Sequence, residues 1–97
     1  MNVGLCRITL RLPENGSLKG KRQVVKSLSE RLRNRYNVAV AEVEDNDRWQ
    51  IATLGVTCVS NDARHADEII SKVISFVQET RLDAEVLDCE REVLQAF

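Results

Sequence analysis

The 97 residues, 43% hydrophobic and 30% charged with a single proline, suit one folded domain with a modest core and exclude a disordered or collagen-like chain. No apolar run approaches the ~20 residues of a membrane-spanning helix. The net charge of −1 divides unevenly: residues 1–35 carry nine Lys/Arg against Glu14 and Glu30, or +7, and the rest of the chain carries −8.

Residues 3–12 alternate, with Cys6, Ile8, Leu10 and Leu12 on one face and Arg7, Thr9 and Arg11 on the other, the period of a half-buried strand. Pro13-Glu14-Asn15-Gly16 is turn chemistry, and Ser17 offers a capping hydroxyl. Leu18, Val24, Val25, Leu28 and Leu32 return on one arc at helical spacing, predicting an amphipathic helix over 18–35. Gly20 weakens its first turn by about 1 kcal/mol relative to alanine. Residues 36–43 read as a strand, Glu44-Asp45-Asn46-Asp47 as a polar turn, and 49–59 as a second strand that completes a hairpin. In that second strand Ala52, Leu54, Val56 and Cys58 face one way and Thr53, Gly55 and Thr57 the other. Asn61-Asp62 can cap a helix whose apolar face is Ala66, Ile69, Ile70, Val73, Phe76 and Val77. Residues 83–89 alternate as a last strand, and Glu90–Phe97 fits either its continuation or a short helical turn.

The order βαββαβ predicts an α+β, ferredoxin-like sandwich: one domain over 1–97, a four-stranded antiparallel sheet and both helices on one face. In the strand order 4-1-3-2, the helix-free face shows Arg7, Thr9 and Arg11 beside Thr53, Gly55 and Thr57.

On the first helix Lys19, Arg22, Lys26 and Arg33 form one basic stripe, with Lys21 nearer the apolar arc and its charged head reaching past it. Glu30 is the only acid in residues 18–35. The stripe and the free N–H groups of the helix N-terminus suit phosphates, so Lys19, Lys21, Arg22, Lys26 and Arg33 read as nucleic-acid contacts, with Arg7 and Arg11 as secondary ones. A solvated helix face is the competing reading. Stacking of bases on the central strands is disfavoured, because those positions hold Arg, Thr and Gly and the chain has four aromatics in all. The open face, with Thr53 and Thr57, equally suits a homodimer. Trp49 either anchors a partner or covers the edge of its own core.

No catalytic constellation, metal-ligand set or cofactor motif is visible. Glu42, Glu44, Asp45 and Asp47 lack the spacing of an EF-hand and read as a solvated turn. His65 has no nearby partner for acid–base work. Cys6, Cys58 and Cys89 read as small core residues, and three cysteines without a C-x-x-C pair fit a reduced, cytoplasmic setting. The start of the chain lacks the pattern of a signal peptide, which points the same way. The loop after the first strand lacks the G-x-V-x-x-F-R pattern of acylphosphatases, and the glycine-rich loop of ligand-binding ACT-type domains is not apparent.

Several segments together resemble the YlxP-like family of small bacterial proteins, a domain of unknown function. They are Ser17-Leu18-Lys19-x-Lys21-Arg22, Ser27-Leu28-x-x-Arg31-Leu32-Arg33-Asn34-Arg35-Tyr36-Asn37-Val38, Ala41-Glu42-Val43, Trp49-Gln50-x-Ala52-x-x-Gly55, Ser60-Asn61-Asp62 and Asp88-x-Glu90-Arg91-Glu92. Gly20 departs from the family's S-L-K-E, which would complete a capping box. The resemblance implies a ferredoxin-like fold. Members are often encoded near translation initiation factor two and ribosome-binding factor A, which implies a role around the small ribosomal subunit or its RNA; it carries over no catalytic residues. The expectation is a non-enzymatic, cytoplasmic protein without a cofactor or membrane association, bound to ribosomal RNA or the small subunit. The alternative is a homodimeric protein-interaction module that binds no nucleic acid.

Overall fold

The alternation and capping signals resolve, in a computed structural model that describes residues 1–13, 15–80 and 84–97, into β1 (Asn2–Arg11), α1 (Leu18–Arg35), β2 (Ala39–Glu44), β3 (Ile51–Ser60), α2 (Ala63–Glu79) and β4 (Glu85–Gln95). The strands pair antiparallel in the order β2-β3-β1-β4, so β1 and β3 are central as expected. The fold is the ferredoxin-like α+β sandwich.

The register follows the hydrophobic pattern. Cys6 lies opposite Val56, Ile8 opposite Leu54 and Leu10 opposite Ala52, and all six are buried with Leu12 and Cys58 under the helices. Leu28 and Leu32 of α1 join Ala66, Ile70, Val73 and Val77 of α2 in that one core, so both helices cover the same face. Ser17 caps α1, its Oγ accepting from the Gly20 N–H at 3.0 Å, and Asp62 caps α2 by accepting from the Arg64 N–H at 3.0 Å. Gly4 marks the closest approach of β1 to α2: a Cβ there would lie 2.9 Å from Ile70 Cγ1 and 3.0 Å from the Ala66 carbonyl oxygen.

Three element bounds differ from expectation. Tyr36 caps the end of α1 instead of opening β2, its N–H donating to the Leu32 carbonyl at 2.8 Å. Its ring then meets Phe76 of α2 edge-on at 6.2 Å, which favours the helix end over strand pairing. Strand β4 runs on to Gln95, because Val86, Cys89 and Val93 keep an inward row packed against the core while a bulge near Leu10 absorbs the change of register. Asp83, expected to start that strand, lies outside the described residues. Trp49 precedes β3 instead of lying within it.

The largest correction concerns Lys21, expected to send its charge past the core toward a phosphate. It is fully buried, and its ammonium donates to the carbonyls of Asp45 at 2.7 Å, Asn46 at 3.2 Å and Ile51 at 3.2 Å. Those bonds take its three hydrogens. The Glu42 carboxylate, 2.7 Å away, balances the charge. An ammonium satisfied in this way has nothing left to offer a ligand. Replacing Lys21 by alanine strands the Glu42 carboxylate and takes the ammonium from three carbonyls, of which that of Asp45 keeps a second donor in the Arg48 N–H, so K21A is expected to lower the unfolding free energy by about 3–5 kcal/mol in urea titrations.

Candidate nucleic-acid interface

The amphipathic pattern of α1 turns Leu28 and Leu32 into the core and leaves Lys19, Arg22, Lys26 and Arg33 exposed on its outer side. Ion pairs elsewhere engage Arg7, Lys21, Arg48 and Arg91; among the described residues, none engages this stripe. Arg33 spends one nitrogen on the Val40 carbonyl at 2.7 Å, which ties the start of β2 to the helix. The structure therefore brings together four of the five expected helix contacts and removes Lys21.

The sheet arginines separate. Arg7 donates to Glu44 on β2 at 3.0 Å and to Glu90 on β4 at 2.6 Å, forming an ion-pair ladder across the open face. The two carboxylates hold its guanidinium even more firmly protonated than usual, the Glu90 hydrogen bond contributing most. Its charge is already compensated. Arg11 is exposed at the end of β1 and shares a hollow of about 470 Å³ with Asp47, Arg48, Trp49, Gln50 and Ile51.

The two threonines expected at an interface also divide. Thr53 is 1% exposed and donates to the Asp45 carboxylate at 2.8 Å, so its hydroxyl is spent inside the fold and it contributes no contact surface. Thr57 is half-buried, with its hydroxyl on the Gly4 carbonyl at 2.9 Å. Trp49 is 55% exposed, so it does not seal its own core. The acidic turn is not merely solvated. Glu42 serves Lys21, Glu44 serves Arg7, and Asp45, left-handed at φ 62°, joins Thr53 and Arg48. Aspartate tolerates that backbone region better than most residues.

The residues missed are apolar. Val3, Leu5, Ala39, Ala41 and Val43 line a hollow of about 600 Å³ on the open face together with the expected Gly55 and Thr57, and Val59 and Leu94 stand exposed beside it. The signal was present: the alternation that turns Arg7 outward also turns Val3 and Leu5 outward.

Comparison with known proteins follows the same boundaries. The family described as "Protein of unknown function (DUF503)" matches residues 3–91. The chain belongs to this family. It is also similar to the "Uncharacterized protein YlxP" of Bacillus subtilis (strain 168), 29% identical over 75 residues that cover 77% of this chain and 82% of that protein. The matched span takes in α1, the hairpin turn and most of β4. The YlxP-like resemblance of the sequence is thereby shown, and neither description assigns an activity or partner.

His65 is exposed at the start of α2, and Cys6 and Cys58 are buried on the inner sheet face. Burial is the main force raising the Cys6 thiol to about 12, with Cys89 adding to it, and burial also raises Cys89. At pH 8 a thiol of pKa about 12 is about one part in 10⁴ thiolate. Iodoacetamide on the native protein is expected to leave Cys6 unmodified and to label it once urea is added, as read by mass spectrometry. The sign for stability follows: a folded-state pKa above the ordinary 9.0 makes Cys6 a source of stability that fades as pH rises from about 9 toward 12.

Proposed function

We propose that this protein is a non-enzymatic binding protein for RNA, acting around ribosomal RNA or the small ribosomal subunit in the cytoplasm. The observation that carries the reading is the outer stripe of α1, where Lys19, Arg22, Lys26 and Arg33 stand exposed, with Glu30 as the one acid on that helix and no ion pair to any of the four among the described residues. Such a stripe follows a phosphate backbone and supplies affinity with little sequence choice.

About four phosphate contacts give a log–log salt slope near −3 for single-stranded RNA, at about 0.7 per contact. The measurement is co-sedimentation with small ribosomal subunits and a parallel RNA titration at about 50 and 200 mM salt. Binding at the lower salt is expected to disappear in R22E/K26E with the fold intact by circular dichroism. Undiminished binding by that double variant would sink the assignment.

A second reading is favoured by the apolar open face. A second copy packed there would cover Val3, Leu5, Val43, Val59 and Leu94, and Arg7 would enter the interface already neutralised by Glu44 and Glu90. Sedimentation velocity is expected to show a dimer that L5E converts to monomer; a monomer at all concentrations for the unaltered protein would exclude it.

A further inference from the structure

We propose that Trp49, with Arg11 and Arg48, forms a stacking subsite for one unpaired base of a single-stranded nucleic acid, beside the phosphate track of α1. The inference rests on the RNA reading above and extends it from the backbone to the base.

The backbone around Trp49 is tightly held. Lys21 takes the carbonyls of Asp45, Asn46 and Ile51, the Leu12 N–H donates to the Gln50 carbonyl at 2.7 Å, and the Asn15 side-chain amide donates to the Trp49 carbonyl itself. Arg48 closes the turn with its N–H on the Asp45 carbonyl at 3.0 Å. Tryptophan is a side chain that folded proteins bury to a high degree on average. Here the indole stands more than half exposed over a hollow of about 470 Å³. The backbone is fixed and the ring is left without a cover. That is the arrangement of a preorganised contact, because little freedom remains to be lost on binding.

The surroundings select the occupant. An indole offers a flat π-face, and a base stacks on it with little dependence on sequence. Arg11 and Arg48 place two guanidinium groups at the same hollow; Arg48 has one nitrogen 3.5 Å from the Asp45 carboxylate and keeps its other nitrogens for a phosphate or an aromatic face, while Arg11 is in no ion pair among the described residues. Asp47, Gln50 and Ile51 complete the lining. The Asp47 carboxylate repels a phosphate and accepts from an exocyclic amino group, so the base lies on its side and the backbone on the side of the arginines. Continuity with the helix comes from the chain: Arg22 of the basic stripe follows Lys21, whose ammonium grips the turn that carries Arg48 and Trp49. Asn15 links the two from the other side, since it also donates to the Ser17 carbonyl at the helix cap. Gly20 permits this. A Cβ at position 20 would collide with Asn15 Oδ1 and push that amide away.

Trp49 is the only tryptophan in the chain, so its emission reports this site alone. The full-length protein is titrated at about 50 mM salt against a dye-labelled single-stranded eight-nucleotide RNA, an abasic phosphodiester strand of the same length and an oligoglutamate peptide, with binding of every variant read from the dye's anisotropy and contact at the site from tryptophan emission. RNA is expected to quench the tryptophan, and the abasic strand to bind without quenching. W49A should weaken RNA binding by about 5- to 150-fold while leaving abasic-strand binding within a factor of two, the range a single stacked base supplies. W49F, which keeps a π-face, should recover most of the loss. An unchanged urea midpoint for W49A separates the effect from misfolding. If both strands bind, neither quenches and W49A matches the unaltered protein, the stacking subsite is wrong and the helix stripe stands. If neither strand binds, the RNA reading fails and this inference with it. Quenching by oligoglutamate as strong as that by RNA would assign the hollow to acidic peptides and overturn the base assignment.

Discussion

Everything at the hairpin end of the molecule depends on one ammonium group. Lys21 lies on the buried side of α1, and its head reaches carbonyls of the turn between β2 and β3 as well as the Glu42 carboxylate on β2. Helix α1 is the more polar of the two, with Leu28 and Leu32 as its buried apolar anchors, both in its second half. Val24 and Val25 add partly buried packing in the middle of the helix, but its first turn has no fully buried apolar anchor. The lysine supplies the missing fixed point. It also satisfies main-chain carbonyls that a tight, irregular turn cannot pair within the sheet. A buried charge of this kind adds little net stability over an apolar substitute of similar shape, yet removing one partner is costly. Its main product is therefore geometry: the depth and rotation of α1 relative to the sheet are set by hydrogen bonds with fixed lengths and directions.

That division explains what the sequence could and could not show. Both helices and the inward rows of β1 and β3 follow from periodicity, because apolar side chains at spacings of two or 3.6 have one economical place to go. Periodicity has no means of expressing the role of Lys21, whose partners lie 24 to 30 positions along the chain. A lysine beside an apolar arc reads as one that reaches out to water. The opposite outcome requires knowing that a turn with unpaired carbonyls is waiting. Thr53 was misread for a related reason. It does occupy the outward register opposite Thr9, but Asp45 folds over it from the turn. Tyr36 was drawn to the strand by its β propensity, whereas an aromatic partner on α2 decided its place.

The candidate site was legible as composition and only partly as geometry. Counting basic residues in 1–35 located the stripe, and helical spacing gathered Lys19, Arg22, Lys26 and Arg33 on one side. Counting could not tell Arg7, consumed by two carboxylates across the sheet, from Arg11, which stands open beside the hairpin turn. The difference is one of strand pairing. Arg7 lies opposite Glu90 in the β1–β4 register, and the β2 bulge that lets Glu44 follow Glu42 on the pairing ladder brings the second acid within reach.

The same pairing gives the molecule a polarity that constrains any polyanion it meets. Glu92, Glu90 and Asp88 lie opposite Leu5, Arg7 and Thr9, so they fall on the open face along β4, away from the helix layer. Arg7 neutralises part of that row, and the remainder turns phosphates away from the edge of the sheet. The basic stripe belongs to α1, on the other layer and nearest β2. The outer side of α1 is thus the basic side of the molecule and the β4 edge an acidic one, with the apolar part of the open face distinct from the basic stripe. Because Lys21 couples the first turns of α1 to the β2–β3 turn, the start of the basic stripe and the exposed indole of Trp49 are held by one set of hydrogen bonds. A substitution that loosens the lysine should disturb both together, although neither surface includes it.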